Sequence, residues 1–186
     1  MAVDGVEIAA ADRVYIAMNK PRGIVVSASD EHGRDTVYAL LQNAGLPWLA
    51  PVGRLDKASE GLLLLSNDPV WAARITDPAS SLPKTYHVQV RGTSNAEALA
   101  HLREGVTDRD ELLRAKSVAL LRTGDKNAWL EIVLDEGRNR QIRRMLEALG
   151  YSVLRLVRVA IGPLQLGELP KGGWRELTRE EIESLG

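Results

Sequence analysis

Pro51-Val52-Gly53-Arg54-Leu55-Asp56-Lys57-Ala58-Ser59-Glu60-Gly61-Leu62-Leu63-Leu64-Leu65-Ser66-Asn67-Asp68-Pro69 is the stretch from which the architecture is read. Its first part is a charged segment bracketed by Gly53 and Gly61. Its second part is an unbroken run of leucines. Four apolar residues between turn formers are too few for a helix, so Leu62 to Leu65 reads as a buried strand. Asn67 or Asp68 then caps a helix that has Pro69 at its first position and stops near Asp77-Pro78. A charged loop hung on a buried element holds a reactive side chain rigidly at a surface, and Asp56 is placed to be that side chain. Taken alone, the loop reads equally as a surface turn in which Asp56 caps a short helical turn.

Working outward toward the N-terminus, Met1 to Asp12 is a weakly patterned lead-in. Arg13 to Met18 is β-prone and ends at the turn Asn19-Lys20-Pro21-Arg22-Gly23, after which Ile24 to Ser27 resumes strand character. A polar loop from Ser29 to Asp35 precedes helical spacing over Thr36 to Gln42, with Asp35 or Thr36 as its cap and Gly45 as its stop. Toward the C-terminus, Lys84 to Val90 alternates as a strand with Tyr86, Val88 and Val90 on one face. Ser94 caps a helix ending near Gly105. Residues 114–122 and 128–134 form a hairpin across the turn Thr123 to Asn127. A helix begins around Asn139 and carries Ile142, Met145, Leu146 and Leu149 on its apolar side, with Gly150 ending it. Ser152 to Ile161 is strand-like, its apolar residues broken by Arg155 and Arg158, and a short strand follows at Leu164 to Leu166. Thr178 and Glu181 have capping-box spacing at a final helix. Strands come singly and in pairs, without regular βαβ alternation. The fold class is α+β, with a largely antiparallel or mixed sheet.

The chain of 186 residues is 45% apolar, enough for one domain. That core is aliphatic, because there is no Phe and only four Trp and four Tyr. Lys and Arg number 24 against 25 Asp and Glu, a net charge of −1. No global positive field attracts a polyanion, so a nucleic-acid partner needs a local basic patch. The absence of Cys excludes disulfides and thiolate chemistry and suits a reducing cytoplasm. No apolar run approaches membrane-spanning length. His32, His87 and His101 lack metal-ligand spacing and are read as ordinary residues.

Three features carry possible chemistry: Asp56 in its loop, Tyr86 on the strand behind Lys84, and the cluster Arg138, Arg140, Arg143 and Arg144. Arg140 and Arg144 share a helix face with Arg143 beside them, and guanidinium groups near a helix start make a phosphate cradle. Read singly, the cluster is also a solvated helix face balanced by Asp135, Glu136 and Glu147, and Tyr86 is also a half-buried strand tyrosine. No phosphate-binding P-loop, dinucleotide loop, His-Glu-x-x-His or Gly-x-Ser-x-Gly elbow is present. What remains suits a carboxylate acting without metal or cofactor on a substrate with arginine-held phosphates and a ring to stack on tyrosine.

Read together, Asn19-Lys20-Pro21-x-Gly23, Gly53-Arg54-Leu55-Asp56 with Ser59-Glu60-Gly61-Leu62-Leu63, Lys84-Thr85-Tyr86, Glu136 to Met145 and Gly173-Trp174-Arg175-Glu176-Leu177 resemble the RsuA/RluB/RluE/RluF family of ribosomal RNA pseudouridine synthases. The resemblance spans nearly the whole chain and implies a mixed, mostly antiparallel sheet with flanking helices and a central active-site cleft. It implies a single catalytic domain over residues 1–186, active as a monomer in the cytoplasm without metal or cofactor. Its partner is ribosomal RNA or a ribosome-assembly intermediate.

Carried over by position, Asp56 is the essential aspartate and Tyr86 the tyrosine that packs against the target base. Arg143 is the basic residue that pairs with the aspartate and holds it ionised. RNA contacts are expected at Lys20, Arg22, Arg54, Lys84, Arg138, Asn139, Arg140, Gln141 and Arg144, with Arg155 and Arg158 as further candidates. Most members of this branch carry a small RNA-binding domain before the Asn-Lys-Pro-x-Gly turn. Only 18 residues precede Asn19 here, too few for that domain, which the RluE-like members also lack; this favours large-subunit ribosomal RNA and keeps small-subunit RNA as the alternative. Two other readings stand beside this one: a non-catalytic RNA-binding module, and a carboxylate glycosidase with Glu60 as the only nearby second acid.

Overall fold

The computed structural model describes residues 12–27, 36–80, 82–92, 96–135 and 140–186. Eleven strands occur among them: β1 (Tyr15–Lys20), β2 (Ala50–Val52), β3 (Glu60–Ser66), β4 (Lys84–Arg91), β5 (Val106–Asp108), β6 (Glu111–Leu113), β7 (Ser117–Thr123), β8 (Asn127–Leu134), β9 (Val153–Ile161), β10 (Leu164–Gln165) and β11 (Trp174–Glu176). The α-helices are α1 (Pro69–Thr76), α2 (Ala96–Glu104), α3 (Gln141–Ala148) and α4 (Arg179–Leu185). The main sheet runs β11-β1-β3-β9-β4-β8-β7, with β2 added to β3 and β10 to β9. Its pairings are antiparallel except β3 with β9, which is parallel. This is the expected mixed, mostly antiparallel α+β architecture.

The leucine run explains itself in β3, every residue of which is buried. Leu63 and Leu65 pack on one face with Ile16, Met18, Val37, Leu49 and Leu55. Leu62 and Leu64 pack on the other with Ala17, Trp71, Ile75 and Leu185. A strand covered on both faces needs no polar alternation, and each leucine contributes roughly 1.5–3 kcal/mol of burial. Across the sheet, Val88 and Val90 of β4 and Leu130 and Ile132 of β8 bury against Leu102 of α2 and Ile142, Met145 and Leu146 of α3.

Register ties these clusters together. Gly61 of β3 lies opposite Arg158 of β9, which lies opposite Tyr86 of β4. Paired residues point to the same side, so the cluster around Leu63 and the cluster around Val88 share one face, here the front. The row Gly61–Arg158–Tyr86 runs between them. Helices α1 and α4 cover the rear of the β1–β3 half.

Local predictions hold where the chemistry is local. Asp68 caps α1, accepting from Trp71 N at 3.1 Å, with Pro69 in the first turn. Thr178 and Glu181 form the expected reciprocal box at α4. Thr36 to Gln42 is a 3₁₀ turn over Val37–Leu41 rather than an α-helix, and Thr36 makes no side-chain cap. Ile24 to Ser27 is not a strand: only Val25 bridges, to Thr36. Helix α3 starts at Gln141, preceded by Arg140 in a left-handed conformation at φ 51°. The expected cap at Ser94 and the expected helix start at Asn139 lie outside the described residues, as does the Ser29 to Asp35 loop. Strands β2, β5, β6 and β11 were not expected.

Candidate active site

The loop between β2 and β3 crosses the front face at the Gly61–Arg158–Tyr86 row. Gly53 turns the chain at φ +82°. Leu55, only 8% exposed, anchors the loop in the front cluster and leaves the next residue, Asp56, half-buried. A tight turn follows, Ser59 N donating to Asp56 O at 2.9 Å. The turn after β1 meets it, with Gly23 N donating to Lys57 O at 2.8 Å.

Three buried cations hold this loop, each from a different element. Lys20, fully buried at the end of β1, donates through Nζ to Ser59 O at 2.7 Å, Pro21 O at 2.9 Å and Lys57 O at 3.3 Å. Burial pushes its ammonium down to about 8, against the opposing pull of the Glu60 and Asp56 carboxylates. Arg143 of α3, 7% exposed, donates through Nη2 to Ala58 O at 3.2 Å and Ser59 Oγ at 3.4 Å. Burial lowers its guanidinium from the ordinary value, as do the charges of Arg140 and Arg22, while Asp56 opposes the shift. Arg158 of β9, 6% exposed, donates through Nε to Leu62 O at 2.9 Å and through Nη1 to Arg54 O at 3.4 Å.

All three bind backbone carbonyls of the loop or of its flanks. Among the described residues, nothing hydrogen-bonds the Asp56 carboxylate itself. The carboxylate therefore stays open to a substrate while its backbone is fixed. Arg143 was expected to pair with Asp56. It grips the loop two and three residues further on, close enough for the two charges to act on each other but not in contact. Tyr86 is half-buried on the front face, packed against the Val88 cluster. Strand spacing sets its backbone roughly 10 Å from Gly61, two strands away.

Of the expected RNA contacts, Arg22, Arg54 and Arg140 are exposed around the loop. Lys84 is half-buried, its ammonium lowered by burial and by the nearby Arg158 charge. Others are committed elsewhere. Lys20 is enclosed by carbonyls and presents no surface to a phosphate. Gln141 is buried and donates to Arg114 O at 2.9 Å. Arg144 bonds Asp108 at 2.8 Å and Glu111 at 2.7 Å, tying α3 to the β5–β6 hairpin. Arg155 makes a two-pronged bond to Glu60 at 2.8 and 3.1 Å. Arg158 is inside the fold. Arg138 and Asn139 lie outside the described residues.

Glu60 is a poor second acid for the glycosidase reading. It is 2% exposed and points to the rear, ion-paired to Arg155 at 2.8 Å and Lys171 at 3.0 Å. Burial alone would raise its carboxyl, but the bonds from Arg155 and Lys171 outweigh that and hold it below the ordinary value. A groove of about 610 Å³ lined by Thr85, His87 and Glu131 of β4 and β8 is also a rear feature, since these residues alternate with Tyr86 and Ile132.

Sequence reasoning missed Ser59 and the inward position of Arg158. A signal for Arg158 was present: it occupies the parity of Leu156 and Ala160, which are buried along β9, so an inward cation interrupts an apolar face.

Comparison with known proteins gives the class of the protein. The chain belongs to the RNA pseudouridylate synthase family, whose sequence profile matches residues 14–148, a span that includes Asp56, Tyr86 and Arg143. It is therefore an isomerase that acts on RNA. A ribosomal large subunit pseudouridine synthase E from Xanthomonas axonopodis pv. citri is 43% identical over 172 residues, 84% of this chain and 90% of that one. A ribosomal large subunit pseudouridine synthase B from Bacillus subtilis is 37% identical over 187 residues, 98% of this chain and 75% of that one. The crystal structure of a pseudouridylate synthase matches with a TM-score of 0.80 at 37% identity, covering 94% of this chain and 74% of that one.

Proposed function

We propose that this protein converts uridine to pseudouridine in ribosomal RNA, with large-subunit RNA as the substrate and Asp56 as the essential group. The observation that carries the reading is the Asp56 carboxylate, without a hydrogen bond among the described residues, on a loop that buried Lys20, Arg143 and Arg158 hold by its backbone. The relatives named for large-subunit RNA support the choice of substrate.

The chemistry follows from these groups. C1′ and C5 of a stacked uridine are out of reach, so the nucleotide is flipped into the cleft. Asp56 then promotes cleavage of the N1–C1′ bond, either by attack on C1′ or by removing the C2′ proton to give a glycal. The freed uracil turns and rejoins through C5, the C5 proton leaves, and N1 ends protonated, so no atom is gained or lost overall. Tyr86 packs against the base and takes the C5 proton. Arg143 keeps the loop rigid and adds positive charge beside the carboxylate. No metal or cofactor enters the scheme.

Phosphates are met by Arg22, Arg54, Arg140 and Lys84, with Arg138 and Asn139 as further expected contacts. A net charge of −1 gives no long-range attraction, so binding depends on folded ribosomal RNA or an assembly intermediate. In this reading the 186 residues act as one catalytic unit, as a monomer, in the cytoplasm. Carbodiimide mapping of ribosomal RNA from cells with and without the protein tests the proposal. One or more pseudouridines disappear without it and return with the wild-type chain but not with Asp56→Asn. An unchanged map removes ribosomal RNA as the substrate, and full modification by Asp56→Asn removes Asp56 from its role.

A further inference from the structure

Among the described residues, Arg158 shares with Arg143 a buried guanidinium that has one nitrogen without a hydrogen-bond partner. It is 94% buried, since only 6% is exposed, and among the described residues no carboxylate pairs with it. Its Nη2 is also buried without a hydrogen-bond partner. A buried cation with neither a counter-charge nor a complete set of acceptors is unfavourable for stability, and an apolar side chain would fill the same place more cheaply. Its contacts therefore point to another purpose.

Those contacts are specific. Nε reaches Leu62 O and Nη1 reaches Arg54 O, carbonyls on the two sides of the loop that carries Asp56. One rigid, planar fork thus closes the loop at its base. The same residue is the register partner of Gly61 on one side and of Tyr86 on the other. The strand pairing shifts register between Thr85 and Tyr86, so Tyr86 is aimed by an irregularity at this same point.

We propose that Arg158 is a positioning residue that sets the distance between the Asp56 loop and Tyr86, joining the front-face loop to the strand that carries the tyrosine. This rests on the reading of the protein as a pseudouridine synthase using Asp56 and Tyr86. Arg158 touches no substrate. It acts through the carbonyls of Arg54 and Leu62.

The test pairs kinetics with amide hydrogen exchange on Arg158→Met and Arg158→Lys. Tritium release from 5-tritiated uridine in ribosomal RNA transcripts gives kcat and KM. Exchange is read at Ser59 N and Gly23 N, which donate to Asp56 O and Lys57 O. Misplacement of a catalytic group by about 1 Å loses on the order of 100-fold in rate. Arg158→Met is expected to lose about that factor in kcat with KM within about threefold of wild type, and to speed exchange at both amides. Arg158→Lys keeps the charge but spans only one carbonyl, so it recovers part of kcat. Should Arg158→Met not fold, Arg158→Lys decides by the same two readings. Wild-type kcat, a loss confined to KM, or unchanged exchange at Ser59 and Gly23 overturns the proposal. A wild-type protein that forms no pseudouridine would sink the functional reading instead, and the exchange result would still decide whether Arg158 holds the loop.

Discussion

Gly61→Ala tests whether the junction of β3 and β9 is as tight as the structure has it. A Cβ at Gly61 would lie 2.2 Å from Arg158 O and 2.7 Å from Arg158 N, and both are backbone atoms that no side-chain rotation can move away. The residue also has φ +110°, where an L side chain is strained by about 1–3 kcal/mol. Relieving the overlap forces apart strands whose register joins only Glu60 to Val157 and Gly61 to Arg158. Overpacking of that kind costs about 1–3 kcal/mol more. The sum, about 2–6 kcal/mol, is a large part of the roughly 5–15 kcal/mol that holds a domain together. Urea denaturation at constant m-value measures it, with thermal unfolding expected roughly 5–20 °C lower. Gly150→Ala is the control: φ is +89° and nothing lies within 4 Å, so only the backbone strain remains. If Gly61→Ala is no worse than Gly150→Ala, the close approach of β9 is not there.

Two further perturbations separate the roles of the buried charges. Lys20 holds three carbonyls only while protonated, and its ammonium titrates at about 8, so kcat should fall as pH rises through that value, and this alkaline limb should vanish in Lys20→Met. Stability moves the other way: between about 8 and the ordinary 10.5 the unfolded chain binds the proton that the folded chain has released, so this lysine makes folding more favourable as pH rises across that window. The Glu60–Arg155 pair should be asymmetric, because Arg155 is 37% exposed and Glu60 2%. Arg155→Met strands a carboxylate inside the protein with Lys171 alone and should cost about 3–5 kcal/mol in urea, whereas Glu60→Gln frees a partly hydrated guanidinium and should cost about half as much. Equal losses would mean that burial of Glu60 is not what matters.

Features set by neighbours in sequence were legible. The leucine run, the Asp68-Pro69 start of α1, the alternation of β4 and the Thr178–Glu181 box each depend on a few adjacent residues, and each formed. Strands β5 and β6 have three residues each, too short for periodicity to register, and they are held by Arg144 across the β5–β6 hairpin. β11 exists because β1 offers it an edge. Site residues divide in the same way. Asp56 could be singled out from its glycine-bounded loop. Whether a polar side chain faces RNA or the interior could not, because Lys20, Gln141, Arg144 and Arg158 find most of their acceptors in residues distant along the chain.

Strand order also bears on how the protein is made. β9, made after β1 to β8, occupies the centre of the sheet, between β3 and β4. Until it emerges, β4 offers a bare hydrogen-bonding edge, and so does β3 at Glu60 and Gly61, beyond the stretch that β2 covers; such edges invite pairing with other nascent chains. Joining of the two halves of the sheet must therefore await β9, and a recombinant chain ended at residue 148 would leave them with no strand between them.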